Sequence, residues 1–283
     1  MHNDIDRLKR IIAKTLRRAK QWYFGYVISQ VLVLALTIAA VLADFDPRVS
    51  ALLAFVAILG TECVRWRSDF WKAQGEFAKR RWEIADGLGE AVDNVAVADW
   101  LAAKPRAFLD DVNDRELAGS SFGSSLPPGP DRMIENTEES AWWSKHESRL
   151  MIWYLSAALV VLLIAVFVAL SISIGGLSDA NTATTRVIAQ NVGAVICAVL
   201  TFVFSINVVR LLASFVAFFG SAKSIVARCR ELLRRGRVDE RTALLLLFDY
   251  QTARAAAPLL PTFIWRIHGD HLRSEWRHYR SKR

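Results

Sequence analysis

Apolar residues along this chain gather in long uninterrupted blocks, and charged residues gather between them. The first block, residues 22–43, holds no Asp, Glu, Lys or Arg. A shorter one covers 49–61, and residues 151–178 and 187–209 complete the set. A bilayer core takes about 20 apolar residues as helix, so the pattern predicts four transmembrane helices. The short second block reaches the required length if Pro47, a good first-turn residue, opens its helix and Trp66 closes it. At 1.5 Å rise per residue that span is roughly 30 Å long. Arg48, Glu62 and Arg65 are its charges, each near an end.

Between the blocks the spacing is also helical. Ile5, Leu8, Ile11, Ile12, Leu16 and Ala19 recur with Arg and Lys between them, which predicts a basic amphipathic lead-in helix over residues 1–21. Such a helix can lie on an anionic leaflet, pack on a folded domain, or simply lead into the first span. Trp71, Phe77, Ala78, Trp82, Ile84 and Ala85 form an apolar stripe, so the second span is expected to continue as a helix until Asp86-Gly87-Leu88-Gly89 breaks it. A further helix is expected over 95–112, and 119–130 (GSSFGSSLPPGP) reads as a loop. From Arg132 a helix is expected to run through Trp142, Trp143 and His146 into the third span. After the fourth span, helical spacing covers 211–233, Arg235-Gly236-Arg237 is a turn, and Asp239 is a good N-cap for a helix to Ala257. Pro258-Leu259-Leu260-Pro261 breaks it, and a basic-aromatic helix follows from Phe263. The fold class is therefore all-α: a polytopic membrane protein with spans at 22–66 and 150–210, a helical insert at 67–149 and a helical tail at 211–283. The plan repeats itself, a helix pair followed by polar helices, twice.

Charge sets the orientation. Of 36 Lys and Arg residues, 34 fall on one side if all four blocks span, and only Arg48 and Arg186 fall on the other. The positive-inside rule then places both termini and the insert in the cytoplasm. Trp22, Tyr23, Trp66, Trp153 and Tyr154 sit at the boundaries, as interfacial anchors do. Val41-Leu42-Ala43 resembles a signal-peptidase site, but a 21-residue helical region precedes the block and the block exceeds a signal core of 7–15 residues. Cys63, Cys197 and Cys229 are odd in number and widely spaced, with no CxxC pattern; they read as small packing residues.

No enzyme signature is present. Gly87-Leu88-Gly89 lacks a third glycine and a preceding strand, and there is no phosphate-binding loop, HExxH or GxSxG. His268 and His271 have ligand-like spacing but no companion ligands, and read as surface histidines. No catalytic residue, metal or cofactor is expected. Polar groups within spans are the next place to look. Glu62 lies three residues before Arg65, which reads either as a snorkelling ion pair or as a gate, with Arg210 below the fourth span as a third charge. Gln190, Ala194, Cys197, Thr201 and Ser205 share one face of the fourth block. That stripe suits close helix packing, and equally the wall of a pore shared by several copies. A secondary transporter is not expected, since no span holds several charges or a clear break. Positive-inside bias accounts for the basic tail without nucleic-acid binding.

Tyr250-Gln251-Thr252-Ala253-Arg254, Pro258-Leu259-Leu260-Pro261 and Trp265-Arg266 fall in order after the fourth span, in a chain whose lead-in carries Arg18-Ala19-Lys20. In this arrangement the chain resembles the SMODS-associated four-transmembrane effector family, in layout over most of its length and in motif over a short part of the tail. The resemblance implies a multi-pass effector of the bacterial inner membrane that works in anti-phage defence by abortive infection. Its partners would be the bilayer, further copies of itself, and a cytoplasmic activator, either a cyclic oligonucleotide or a sensor protein. It also marks Tyr250, Arg254, Pro258, Pro261 and Trp265 as motif residues. Arg254 is expected to meet carboxylates or helix-end carbonyls, and Trp265 to pack under the Pro258–Pro261 break. The sequence departs from the family at Ala85-Asp86-Gly87-Leu88-Gly89 and in the 119–130 loop, where an activator would be recognised. Two functions stand: an oligomerising effector that opens or disrupts the membrane, or a non-conducting scaffold or sensor that docks a cytoplasmic partner.

Overall fold

The computed structural model describes residues 2–42, 47–89, 94–110, 124–178, 192–193, 196, 208–236 and 238–281. Regular structure among the described residues is helical: α1 (His2–Leu42), α2 (Pro47–Leu88), α3 (Asn94–Ala102), α4 (Arg106–Asp110), α5 (Pro130–Ser178), α6 (Val208–Arg235), α7 (Glu240–Ala256) and α8 (Thr262–Ser281). The long helices follow from the absence of Pro and of adjacent Gly pairs within most of their length. They end where the sequence supplies stops. Gly89 takes φ +74° directly after α2, and Gly236 takes φ +66° directly after α6. The chain forms two compact units, one of Trp22–Arg67 and Met151–Ala213, the other of Met1–Gln21, Ser68–Leu150 and Ser214–Arg283.

The first of these is apolar on its outside. Val160, Val161, Leu163, Ile164, Phe167 and Val168 of α5 are all exposed. At 100° per residue those six positions span an arc of roughly 160°, so one broad face of the helix presents large apolar side chains to its surroundings, as a lipid-facing segment does and a surface helix in water does not. On α2, Leu52, Leu53, Phe55, Val56, Ile58 and Leu59 are likewise exposed. Hydroxyls here bond to their own helix. Thr37 Oγ1 donates to Val33 O at 2.8 Å, Thr61 Oγ1 to Ile58 O at 2.7 Å, and Ser171 Oγ to Phe167 O at 2.9 Å. Polar groups lacking water need such internal acceptors. Tyr26, Gln30 and Thr61 are buried inside this unit.

Three described helices contain stretches long and apolar enough to cross a membrane: Arg7–Ala39, Pro130–Val168 and Val208–Arg235. The first two contain most of the expected first span, up to Ala39, and the start of the third. The expected second span, in α2, is not among them, since its apolar run is short and flanked by Arg48, Glu62, Arg65 and Arg67. The expected fourth block lies outside the described residues apart from 192–193, 196 and 208–209. The third stretch falls instead in what the sequence assigns to the tail. There α6 buries Phe215, Phe218, Ala222, Ile225, Val226 and Cys229.

The second unit has a core shared by α5, α6, α7 and α8, centred on Ile134, Trp142, Ile225, Leu246, Tyr250 and Trp276. The lead-in helix docks within this unit. Leu8, Ile11, Ile12 and Ala19 are buried, Ser68 Oγ donates to Ala19 O at 3.0 Å, and Lys14 Nζ donates to Phe108 O at 2.6 Å. Two expectations need correction. The helix expected over 95–112 is broken between α3 and α4 at Pro105, which has no N–H and forces its predecessor out of helical geometry. Phe77 does not join the stripe of Trp71, Ala78, Trp82 and Ala85; it is 39% exposed, with the Arg81 guanidinium 3.8 Å from its ring centre. Ala78 is its immediate neighbour, so the helical turn carries Phe77 about 100° away from that face.

The turn after α2 is held by Gly129 N donating to Gly87 O at 2.8 Å. A Cβ on Gly89 would lie 2.6 Å from Pro128 Cβ, in a left-handed conformation besides. Gly89→Ala is therefore expected to cost about 1–3 kcal/mol and lower the thermal midpoint in detergent by several degrees. Gly220→Ala, where a Cβ meets nothing within 4 Å, should leave the midpoint level or raise it slightly. Equal midpoints for the two variants would refute this account of the turn.

Candidate functional site

Helix α7 starts on Asp239, whose carboxylate accepts from Thr242 N at 2.9 Å and Thr242 Oγ1 at 2.6 Å. Its buried face is Ala243, Leu246, Leu247, Tyr250, Gln251 and Arg254. The repeat i, i+3, i+4, i+7, i+8, i+11 keeps all six on one side. The last two are polar and meet a charged face of α2. Arg254 Nε donates to Glu76 Oε2 at 2.8 Å, while Nη1 and Nη2 donate to the two oxygens of Glu83 at 2.6 and 3.1 Å. Gln251 Nε2 donates to Glu83 Oε2 at 2.9 Å, and Lys79 Nζ lies 3.9 Å from Glu83 Oε1. Lys72 Nζ donates to Ala255 O at 2.8 Å and also to Ala257 O, closing the carbonyl end of α7. A cation there suits the negative end of the helix dipole. Lys72, Glu76, Lys79 and Glu83 thus form a ladder at i, i+4, i+7 and i+11 that grips the last turn of α7.

The planar guanidinium suits this position because it meets Glu83 in a two-point fork and keeps its Nε for Glu76. Burial pushes the Glu83 carboxyl up, but the charges of Arg254 and Lys79 and the hydrogen bonds from Arg254 and Gln251 outweigh it, leaving the group below the ordinary carboxylate range. Burial opposes the charge on Arg254 as well, and the two carboxylates more than restore it. Tyr250 stacks beside Arg254, with 5.2 Å from the guanidinium carbon to its ring centre. Its hydroxyl lies 2.9 Å from Ser144 Oγ and donates to Ser140 O at 3.1 Å, while burial pushes the phenol up to about 12. The groups neutralise one another, so the arrangement acts as a clamp.

A second polar set surrounds the start of α5. Arg132 Nη2 donates to Asp86 Oδ1 at 3.0 Å, Asn136 Nδ2 donates to Asp86 Oδ2 at 2.8 Å, and Arg132 Nη1 donates to Leu126 O at 3.1 Å. Farther along, the fully buried Glu138 accepts from Tyr279 and lies 3.5 Å from Arg230, and Glu135 accepts from Arg280 at 3.3 Å.

Of the motif residues in the tail, the structure brings Tyr250 and Arg254 into the clamp. Pro258 and Pro261 lie in the break between α7 and α8, where Pro261 O accepts from Ile264 N at 3.3 Å. The rings of Trp265 and Trp143 are 5.0 Å apart, and Arg273 covers Trp265 at 5.0 Å, so a tryptophan on α5 is its partner. Glu62 and Arg65 pair at 3.3 Å, each about half exposed, and Arg210 is exposed on α6. Gln190, Cys197, Thr201 and Ser205 lie outside the described residues. Cys229 is buried in the core, whereas Cys63 is exposed and does not have the packing role expected of it. The ladder on α2 was missed by the sequence reading, which followed the tryptophans. The signal for it was available: alternating Lys and Glu at helical spacing on a helix whose neighbouring face is apolar. No family model, curated protein or solved structure matches the chain.

Arg254→Ala would leave Glu76 and Glu83 buried without their counter-charge, at a cost of about 3–5 kcal/mol. We expect lower yield and a lower thermal midpoint in detergent. Because Glu83 is depressed in the folded protein, its contribution is complete above the ordinary Glu range near 4.5 and fades as pH falls through the folded value. Wild type should lose stability on acidification below about pH 4.5, and Glu83→Gln should lose less over that window. Parallel acid profiles for the two proteins would show that Glu83 is not a charged partner of Arg254.

Proposed function

We propose that this chain is a multi-pass membrane effector with four spans, its termini and insert on the cytoplasmic side. It acts without catalysis, by self-association that opens or disrupts the bacterial inner membrane during anti-phage defence. One observation carries the reading. α2 is a single unbroken helix with exposed Leu52, Leu53, Phe55, Val56, Ile58 and Leu59 at one end and the Lys72–Glu83 ladder at the other. An event that loosens the clamp acts on the same helix that carries the exposed apolar stretch, and that shared helix is the route from activator to membrane in this proposal. Interhelical polar contacts in lipid are worth only about 1 kcal/mol each, so a modest trigger suffices to change the packing partner. The resemblance of the tail motif to the four-transmembrane effectors supplies the biological setting, and with it a cyclic oligonucleotide or a sensor protein as activator.

Topology is tested with single cysteines in a background free of Cys63, Cys197 and Cys229. An impermeant thiol reagent applied from the periplasm should label positions 46 and 181 and leave 123 and 281 untouched. Labelling at 123 or 281 would overturn the orientation. Conduction is tested by dye leakage or loss of membrane potential on expression with the activating system. Thr201→Leu and Ser205→Leu should abolish leakage if the fourth span lines the lumen. Accumulation without leakage in the presence of the activating system would favour a non-conducting scaffold that docks a partner.

A further inference from the structure

A small recess lies between α2, α5 and α7, its polar edge supplied by Glu83, Asn136, Thr137, Ser140 and Tyr250 and the remainder by Met133 and Leu247. It has room for a single water, the smallest volume that such a site requires. Asn136 is 5% exposed and its Nδ2 donates to Asp86. That bond fixes the amide orientation, since a reversed amide would set two acceptor oxygens against each other. Asn136 Oδ1 then faces no protein donor within hydrogen-bond reach. Thr137 gives its hydroxyl hydrogen to Met133 O at 2.8 Å, so it supplies an acceptor only. Tyr250 spends its proton on Ser140 O or Ser144 Oγ. A buried acceptor left unmet costs about 1–3 kcal/mol.

From this geometry we infer that the recess is a binding site for one ordered water, which donates to Asn136 Oδ1 and to the Glu83 carboxylate. The donor-poor lining selects a molecule with two hydrogens to give. A cation has less call to bind here, because Arg254 and Lys79 already balance the charge of Glu83. The water completes one network, running from Arg132 and Asp86 through Asn136 to Glu83 and on to Gln251 and Arg254. It therefore joins the clasp at the end of α2 to the grip on α7, two features otherwise held by separate bonds. The inference rests on this recess alone and is independent of whether the protein conducts.

The full-length protein in lipid nanodiscs, solved at a resolution that shows ordered solvent, should display a peak within hydrogen-bond distance of both Asn136 Oδ1 and the Glu83 carboxylate. A clear map with no peak overturns the proposal, and so does a peak ringed by five or six oxygens, which would be a metal ion. A second arm compares Thr137→Val with Thr137→Ile. Valine preserves the volume, whereas isoleucine adds a methylene group at the recess. The Ile variant should melt several degrees below the Val variant, because Asn136 and Glu83 lose their bridging partner. An Ile midpoint at or above the Val midpoint would mean a dry void had been filled, and would overturn the site. Should Thr137→Ile fail to fold, the solvent peak in the map decides.

Discussion

Arg254 sits between Glu76 and Glu83 with a tenth of its side chain exposed, and that burial constrains the rest of the polar unit. A charge removed from water to this degree is tolerable only when it is paired and its hydrogen-bonding groups are met. The guanidinium meets the condition with three nitrogens directed at two carboxylates. Those carboxylates come from a different part of the chain, so α7 has to lie against α2. Lys72 fixes where α7 stops by taking the carbonyls of Ala255 and Ala257. Tyr250 then reaches Ser140 and Ser144 and carries the same constraint to α5. An apolar core of the same volume would hold the helices together as well, but would allow them to slide and rotate. Directional ion pairs restrict such motion, because they fix which turns of the two helices meet.

The same logic extends over the unit as a bias in composition. Residues 67–149 contain 16 acidic and 11 basic residues, whereas residues 211–283 contain 14 basic and 6 acidic ones. The tail docks its arginines onto the carboxylates of the insert, as Arg254 does on Glu76 and Glu83, Arg230 near Glu138 and Arg280 on Glu135. Positive-inside bias alone would explain an excess of Arg, but not an acidic insert beside it. Many of the surface pairs, such as Arg228 with Asp249, remain about half exposed and contribute little. Stability therefore rests on the few pairs that are buried, and the rest set solubility and the character of the surface.

The apolar unit follows the opposite rule. Its large side chains stay outside, and its hydroxyls bond to carbonyls one turn back along their own helices. Such an exterior is unfavourable in water and natural in hydrocarbon, where every backbone group must be satisfied within the segment. Gln30 is the exception worth noting: a polar side chain buried in α1, next to Ser29 in an otherwise apolar run. One such pair leaves no periodic trace, and only packing shows on which side Gln30 falls.

Much of the architecture was legible in the sequence because it depends on local causes. The continuity of α2 into a polar region, its stop at Gly89, the Asp239 cap and the break at 258–261 all follow from residue types whose backbone preferences act within a few positions. Pro105 was equally readable as a break and was passed over. The clamp was not readable in the same way. Arg254 could be marked as a motif residue, but its partners lie 171 and 178 residues away, and pairing over such a distance depends on which faces of α2 and α7 are brought together. The charge spacing of Lys72, Glu76, Lys79 and Glu83 shows that these residues share a face; it does not show whether that face meets water or another helix. That choice is tertiary, because the same Lys–Glu pattern is stable as a solvated stripe in isolation. It becomes a buried ladder only when a counter-charged partner offsets the loss of hydration.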